Sequence, residues 1–166
     1  IADVVDNISR AAGTEVVGGA VALELRNRLA GLRQYNADKP PLDFFYQIAP
    51  RPLYTINGQH IISRSLAICG GRNVFSDLPT LAPQISRESV IIANPVVMIA
   101  PESPGNPPAL LNWQDWSQLQ AVRNGNMLYL PADEISQPTP RLLDSIELAC
   151  KLLDEVRSTL GQEKEK

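Results

Sequence analysis

The segment from Arg64 to Phe75 constrains the fold most, because it joins a buried helix face to an abrupt helix end. Ile62, Leu66 and Cys69 fall at positions i, i+4 and i+7, so they share one face of a helix. Gly70 follows at the C′ position, where a helix commonly ends in the left-handed conformation that glycine adopts at low cost. The segment therefore predicts a short buried helix that stops at Gly70, beside the core.

Length and charge exclude several classes of protein. A chain of 166 residues fits one domain with a substantial core. Its net charge is −3, with acidic and basic residues mixed, whereas nucleic-acid binders usually carry a basic stripe. No run reaches the roughly 18 apolar residues of a membrane span. The chain opens directly in a helical pattern without a signal peptide, so we expect a fragment of a longer protein.

Helix and strand signals alternate along the chain. A helical pattern covers residues 1–12, and a longer one covers residues 14–36, with an apolar line that includes Val17, Val21 and Leu25. Apolar runs predict three strands, at residues 42–49, 96–100 and 127–130. This order predicts an α/β fold, in which helices flank a short parallel sheet on both faces.

The remaining helices are predicted from caps and apolar stripes. Ser86 is a good N-cap for one helix, and Thr139 followed by Pro140 predicts the start of the last helix. Trp113, Trp116, Leu119 and Val122 indicate an amphipathic helix between them.

Ligands of parallel α/β sheets bind beyond the carboxyl ends of the strands. The loops at that edge are therefore the candidate binding surface. They are residues 50–55, 78–84, 101–108 and 131–138.

The two cysteines, Cys69 and Cys150, belong to no Cys-x-x-Cys pair, so metal binding by them is not expected. The residues alone leave two interpretations open. Both thiols are buried as small apolar groups, or they form a disulfide between two helices, which implies an oxidising compartment.

Catalytic motifs are missing from the sequence. Cys-Gly-Gly-Arg-Asn lacks the spacing of a phosphate-binding glycine loop, and no Gly-x-Ser-x-Gly elbow is present. The only histidine, His60, precedes a helix, and we interpret it as a helix-start residue rather than a general base. Carboxylates on the candidate loops, such as Glu102 and Asp133, are typical solvated loop residues. We therefore predict that the chain is not an enzyme, with no catalytic residue, catalytic cofactor or bound metal.

Five segments together resemble the periplasmic vitamin B12 (cobalamin)-binding proteins of ABC importers. Phe-Tyr-Gln-Ile at 45–48 and Arg-Pro-Leu-Tyr-Thr at 51–55 precede Cys-Gly-Gly-Arg-Asn-Val-Phe at 69–75. Ala-Pro-Gln-Ile-Ser-Arg-Glu at 82–88 resembles the family's Pro-Gln-Val-Ser-Arg-Glu segment, and Pro-Thr-Pro-Arg at 138–141 resembles the start of its last helix. The resemblance covers nearly the whole chain.

The resemblance implies a class III binding protein with two α/β lobes joined by one long backbone helix. Residues 14–40 correspond to this linker helix, residues 1–13 to a short helix from the inter-lobe region, and residues 41–166 to the C-terminal lobe. By this comparison the N-terminal lobe is absent from the chain. The family also implies a Cys69–Cys150 disulfide, and a location in the periplasm or at a lipid anchor outside the cytoplasmic membrane.

The family captures a corrinoid between its lobes and delivers it to the membrane subunits of the importer. We expect cobalamin as the transported ligand and no nucleic-acid partner or membrane insertion of this chain. The expected ligand-binding residues are Arg51, Tyr54, Leu81, Ala82, Trp113, Glu134 and Ile135. Glu88 corresponds to a glutamate that pairs with arginines of the membrane subunit, although a carboxylate there also favours the helix dipole.

Two positions depart from the family pattern. Ala82 stands where known cobalamin binders can carry a tryptophan against the corrin, and Ile135 stands where a larger aromatic residue would fit. Tyr54 and Trp113 are the alternative sources of an aromatic surface, and both also suit the core. Haem or an iron–siderophore complex therefore stays open as the ligand of the same fold. Two other classes also stay open: a redox module that uses Cys69 and Cys150, and an interaction domain without a small ligand.

Overall fold

The computed structural model describes residues 1–163 and has a four-stranded parallel sheet at its centre. The strands are β1 (Leu42–Tyr46), β2 (Ala49–Pro50), β3 (Leu53–Tyr54), β4 (Gly71–Asn73), β5 (Val97–Glu102) and β6 (Met127–Pro131). The order across the main sheet is β4-β1-β5-β6, while β2 and β3 form a separate antiparallel hairpin. Phe44 of β1 lies opposite both Asn73 of β4 and Val97 of β5, which fixes the register of the three strands.

Seven α-helices and one 3₁₀ turn at Leu111–Trp113 surround the sheet in the described part of the chain. The helices are α1 (Ala2–Ala11), α2 (Glu15–Asn36), α3 (Ile61–Ile68), α4 (Arg87–Ala93), α5 (Gln120–Arg123), α6 (Ala132–Ile135) and α7 (Leu142–Glu163). The predicted fold class, a parallel sheet flanked by helices and preceded by a long helix, is confirmed.

The sheet separates two apolar cores. Alternate residues of β1 point to opposite faces, as a strand requires: Phe44 and Tyr46 pack with α3 and α7, and Phe45 packs on the other face. The same alternation in β5 sends Ile99 to the first core and Met98 to the second. The molecule is therefore a three-layer structure, with α2, α3 and α7 on one face of the sheet.

The segment around Cys69 folds as the sequence predicts. Cys69 caps α3, and Gly70 follows with φ of +74°. Arg157 of α7 donates hydrogen bonds to the carbonyl oxygens of Cys69 (2.6 Å) and Pro40 (3.0 Å). Cys69 and Cys150 form a disulfide, so the disulfide interpretation of the two cysteines is confirmed.

Three local predictions were wrong. Gly71–Asn73 is a fourth strand of the sheet, although we predicted only three. The helix predicted from Trp113 to Val122 is interrupted, since Leu119 is extended (ψ of 132°) and the Asn94 side chain accepts a hydrogen bond from the N–H of Gln120, where α5 begins. The loop at 131–138 contains the short helix α6.

The first part of the apolar line on α2 is exposed. Leu25 is buried in the first core, but Val17 is 69% exposed and Val21 is also exposed. Val4 and Ile8 of α1, which packs against α2, are exposed as well. None of the helices described for residues 1–163 is long and apolar enough to cross a membrane.

Candidate functional site

The candidate site lies at the carboxyl edge of the main sheet, where the chain leaves β1, β4, β5 and β6. Because all four strands are parallel, the loops that follow them emerge at this one edge. The structure therefore brings together the four loops that the sequence predicts as the binding surface.

Backbone hydrogen bonds join the loops after β1 and β4 into a three-stranded floor, formed by residues 48–50, 53–57 and 81–85. The hairpin of β2 and β3 supplies two strands, with the N–H of Ile48 donating to the oxygen of Tyr54 (2.9 Å). The third strand is added by bonds from the N–H of Thr55 to the Pro83 oxygen and from the N–H of Asn57 to the Leu81 oxygen, each 3.0 Å. These loops therefore form one connected surface.

Three of the predicted ligand-binding residues lie on this floor, a fourth lies at its hairpin turn, and all four present accessible surface. Arg51 is exposed at the turn of the hairpin, and Tyr54 is half-buried in β3. Leu81 is 55% exposed, and Ala82 beside it is exposed. Ile48 is a further exposed apolar residue of the floor, which the sequence analysis had assigned to the preceding strand.

Trp113 is not at the surface, so its assignment as a direct ligand contact needs correction. Its side chain is 2% exposed in the second core, with its ring edge-on to Phe45 at 6.0 Å between centroids. The indole N–H donates to Oε1 of Gln47 over 2.7 Å. Trp113 thus lies behind the loop that follows β5, as its apolar stripe also indicated.

Ile135 needs the same correction. It is fully buried in the first core, on the opposite face of the sheet from Trp113, so the two side chains cannot line one pocket. Glu134 beside it is partly accessible and accepts a hydrogen bond from Arg141 over 2.8 Å. A ligand that approached Glu134 would therefore meet a carboxylate that already has a cationic partner.

Glu88 lies in the first turn of α4, away from the core, and is exposed. Hydrogen bonds from its own backbone N–H and from the Ser86 side chain lower the pKa of its carboxyl group. Ser86 also caps α4 by accepting from the N–H of Ser89 (3.2 Å), as predicted. The neighbouring guanidinium of Arg87 lies 6.0 Å from the Trp113 ring centroid.

His60 has a structural role in α3. Its Nδ1 accepts a hydrogen bond from the N–H of Ile62 over 3.2 Å, which confirms that it starts the helix. Burial lowers the pKa of its imidazole group, which favours the neutral ring that this acceptor needs. Within residues 1–163, no three His, Cys, Asp or Glu side chains are grouped so that they could hold a metal ion.

A groove of about 530 Å³ lies elsewhere, between α1, α2, α3 and the start of α7. Apolar side chains such as Leu29 and Ile68 line it together with Arg33 and Arg64. None of the predicted ligand-binding residues contributes to its walls. The candidate floor is therefore an open surface, separate from this groove.

Curated relatives of the chain are vitamin B12-binding proteins, whereas no protein-family model matches. The protein of Vibrio cholerae serotype O1 is 35% identical over 157 residues, which cover 92% of this chain and 55% of the relative. The protein of Vibrio vulnificus (strain CMCP6) is 32% identical over 155 residues, which cover 91% of this chain and 55% of the relative. The protein of Photorhabdus laumondii is 36% identical over 135 residues, which cover 81% of this chain and 47% of the relative. The chain thus spans about half the length of the curated relatives it matches.

Solved structures give the same comparison in three dimensions. The periplasmic vitamin B12-binding protein of Vibrio cholerae superposes with a TM-score of 0.85 at 34% identity, over 95% of this chain and 61% of that one. The periplasmic haem-binding protein of Roseiflexus sp. RS-1 superposes with a TM-score of 0.78 at 18% identity, over 93% and 62% of the two chains. At that identity the second match shows the shared fold alone.

Proposed function

Because this chain is homologous over nearly its whole length to vitamin B12-binding proteins, we propose that it is part of a periplasmic protein that captures cobalamin for an ABC importer. The observation that carries the proposal is the 35% identity to the Vibrio cholerae protein across 157 residues. The role is binding and delivery, without catalysis.

The chain forms one half of the binding protein in this proposal. Residues 41–166 are the C-terminal lobe, residues 14–40 the linker helix, and residues 1–13 a helix from the inter-lobe region. The chain spans only 55% of the Vibrio cholerae relative, which leaves room for a second lobe. The exposed apolar residues of α1 and α2, Val4, Ile8, Val17 and Val21, also suit a partner surface.

Cobalamin would lie against the floor at the carboxyl edge of the sheet. The corrin is a broad ring with apolar faces and amide side chains at its rim, so it needs apolar contact and a few polar groups. Leu81, Ala82 and the ring of Tyr54 offer apolar surface, and the Arg51 guanidinium offers donors for amide oxygens. Glu134 would lie at the rim of the ligand, while Trp113 and Ile135, which are both buried, would support the loops from within the core.

Glu88 would dock the protein to the membrane subunits of the importer. Its carboxylate is exposed, and its lowered pKa keeps it charged throughout the neutral range. A charged side chain on a free surface suits pairing with an arginine of a partner. The helix-dipole role of Glu88 is compatible with docking, because both need a charged carboxylate in the first turn of α4 and this one is exposed.

Haem or an iron–siderophore complex is the second candidate ligand. Ala82 favours it, because a methyl group at this position supplies no aromatic surface for a corrin. In either case the protein acts outside the cytoplasmic membrane, free in the periplasm or held by a lipid anchor.

Calorimetric titration of the complete two-lobed protein with cyanocobalamin tests the proposal, with haem and a ferric siderophore as controls. We expect cobalamin to bind with a Kd below about 1 µM, equivalent to about −8 kcal/mol. Binding of a control without cobalamin would keep the fold and replace the ligand. Substituting Arg51 by Ala and Leu81 by Asp would then test whether the floor carries the affinity, with Glu155→Ala, an exposed residue of α7, as the control.

A further inference from the structure

Gln47 is a buried amide at the edge of the sheet where the candidate site lies. It follows β1 directly and is 1% exposed. Its backbone N–H donates to the oxygen of Ile99 in β5 over 2.8 Å, so the main chain is fixed to the sheet. A buried side-chain amide needs hydrogen-bond partners to offset its desolvation.

Both ends of the Gln47 side chain are used, and both contact the segment after β5. Nε2 donates to the carbonyl oxygen of Ala109 over 2.6 Å. Oε1 accepts from the indole N–H of Trp113 over 2.7 Å. One side chain thus holds a backbone carbonyl at the end of the loop and the aromatic residue four positions later.

The loop that Gln47 holds has few other restraints. Residues 104–108 are all exposed, and Gly105 has φ of +81°. A turn bond from the N–H of Asn106 to the oxygen of Ser103 (3.2 Å) is internal to the loop. The loop meets the core at Leu110, which is fully buried beside the carbonyl that Gln47 binds.

We propose that Gln47 is a positioning residue of the binding site, which fixes the 103–110 loop and Trp113 in the conformation that receives the ligand. The inference rests on the proposed function and deepens it. Gln47 does not contact the ligand; it lowers the cost of ordering the loop before the ligand arrives, because a preordered loop loses less conformational entropy on binding.

The test compares two buried amides in the complete protein. Gln47→Met keeps the length of the side chain and removes both hydrogen bonds. Asn126→Leu is the matched control, because Asn126 is also buried and donates to a backbone carbonyl, that of Val96 over 3.1 Å, at the opposite end of the sheet. Each variant leaves a backbone carbonyl without its donor, and Gln47→Met also leaves the Trp113 indole N–H without its acceptor, so a general loss of stability affects both.

Two measurements are made on each variant: cyanocobalamin affinity by calorimetry, and amide hydrogen exchange of residues 103–113. We expect Gln47→Met to weaken cyanocobalamin binding by at least about fivefold, the effect expected when one or two more side chains must be ordered on binding. We also expect faster amide exchange in this segment. Asn126→Leu should change neither quantity. Equal loss of affinity in both variants, or unchanged exchange in Gln47→Met, would overturn the inference.

The exchange measurement separates this inference from the proposed function. If the unsubstituted protein binds no cyanocobalamin, the proposed ligand is wrong, and exchange still decides whether Gln47 orders the loop. Faster exchange confined to residues 103–113 in Gln47→Met shows that Gln47 orders the loop, and unchanged exchange rejects the positioning role.

Discussion

The structural roles of some single residues can be predicted from the sequence alone, and those of others cannot. Gly70 is predictable because a helix end in the left-handed region strongly selects glycine, and His60 is predictable because a polar residue before an apolar helix face has an N-cap role. Trp113 is not predictable as buried or exposed, because the same indole suits a corrin surface and a core. It is buried in the second core, and its indole N–H donates to Gln47, which lies 66 residues earlier in the chain.

Gly70→Ala should destabilise the protein. The left-handed φ of +74° is costly for a residue with a Cβ, and that Cβ would lie 2.6 Å from Nη2 of Arg157. We expect the free energy of unfolding, measured in urea, to fall by about 1–2 kcal/mol. Gly31→Ala is the control, since Gly31 is in the middle of α2 with free space around it, and should raise stability by about 0.5–1 kcal/mol. If both substitutions changed the free energy of unfolding in the same direction, the left-handed conformation of Gly70 would not explain the effect.

Asp154→Asn should lower the free energy of unfolding at neutral pH but not at acidic pH. Burial raises the pKa of the Asp154 carboxyl, but hydrogen bonds from Lys39 (2.6 Å) and Arg157 (2.8 Å) outweigh it, so the folded-state pKa is lowered. A lowered pKa stabilises the fold above the unfolded-state pKa, and this contribution is lost as pH falls through the folded-state pKa. We expect a loss of about 0.5–1 kcal/mol at pH 7, since the pair is partly exposed.

The pH dependence is measured by urea unfolding between pH 7 and pH 2.5. The difference between the Asp154→Asn variant and the unsubstituted chain should vanish at the acidic end. Asp115→Asn serves as control, because the described residues give Asp115 no ion pair. A difference for Asp154→Asn that stayed constant with pH would exclude a charge-based contribution.

Glu88→Gln should separate transport from binding. The substitution removes the charge and keeps the shape of an exposed side chain on α4. We expect importer-dependent uptake to fall by about tenfold or more, as for the loss of one partner of an interfacial charge pair, with unchanged cobalamin affinity. Glu155→Gln, another exposed glutamate, should leave uptake intact. Reduced affinity in Glu88→Gln would argue against a docking role.

At the level of helices and strands, an element can be predicted when its hydrophobic pattern is long and uninterrupted. The long helices α2 and α7 and the apolar strands β1, β5 and β6 follow from periodicity. Strand β4 was missed because Gly-Arg-Asn has no strand propensity, and only pairing with β1 makes it a strand. The predicted helix over 113–122 failed because tertiary hydrogen bonds of Gln47 and Asn94 outweigh a local apolar stripe.

The Cys69–Cys150 disulfide ties α3 to α7 and should contribute strongly to stability. It closes a loop of 81 residues between two buried positions. Chain-entropy arguments give at most about 4.5 kcal/mol for such a loop, with 2–4 kcal/mol typical. We expect the double variant Cys69→Ala/Cys150→Ala to lower the Tm by about 5–15 °C in thermal unfolding.

Reduction supplies the control for this prediction. Unfolding the unsubstituted chain in dithiothreitol should reproduce the lower Tm, while the double variant should not respond to dithiothreitol. Equal Tm values with and without the disulfide would show that packing of α3 on α7 suffices.

At the scale of the whole molecule, the resemblance to known proteins predicted more than the pattern of helices and strands did. Strand and helix signals predict a parallel α/β sheet and the edge at which it binds ligands, and these features are common to many folds. The motifs at 69–75 and 82–88 pointed to cobalamin-binding proteins, and this resemblance is confirmed by 35% identity over 157 residues. The ligand-facing side chains could not be selected from the sequence, because burial depends on contacts between loops after different strands.

Cobalamin binding should require both lobes. In the proposed two-lobed protein this chain would offer one wall of the cleft, whereas the cost of immobilising the ligand stays nearly the same. We expect calorimetry to give a Kd for the chain alone at least about 1,000-fold weaker than that of the complete protein, a difference of about 4 kcal/mol. Comparable Kd values would mean that this chain holds the ligand by itself.

The floor of the site is assembled by main-chain hydrogen bonds between residues 53–57 and 81–85. Such bonds are nearly indifferent to the side chains they carry, so mutations at Leu81 or Ala82 alter the surface without dismantling its support. The backbone support of the floor and the side chains on its surface can therefore change independently of each other. A change of side chain at Ala82 therefore needs no remodelling of the sheet beneath.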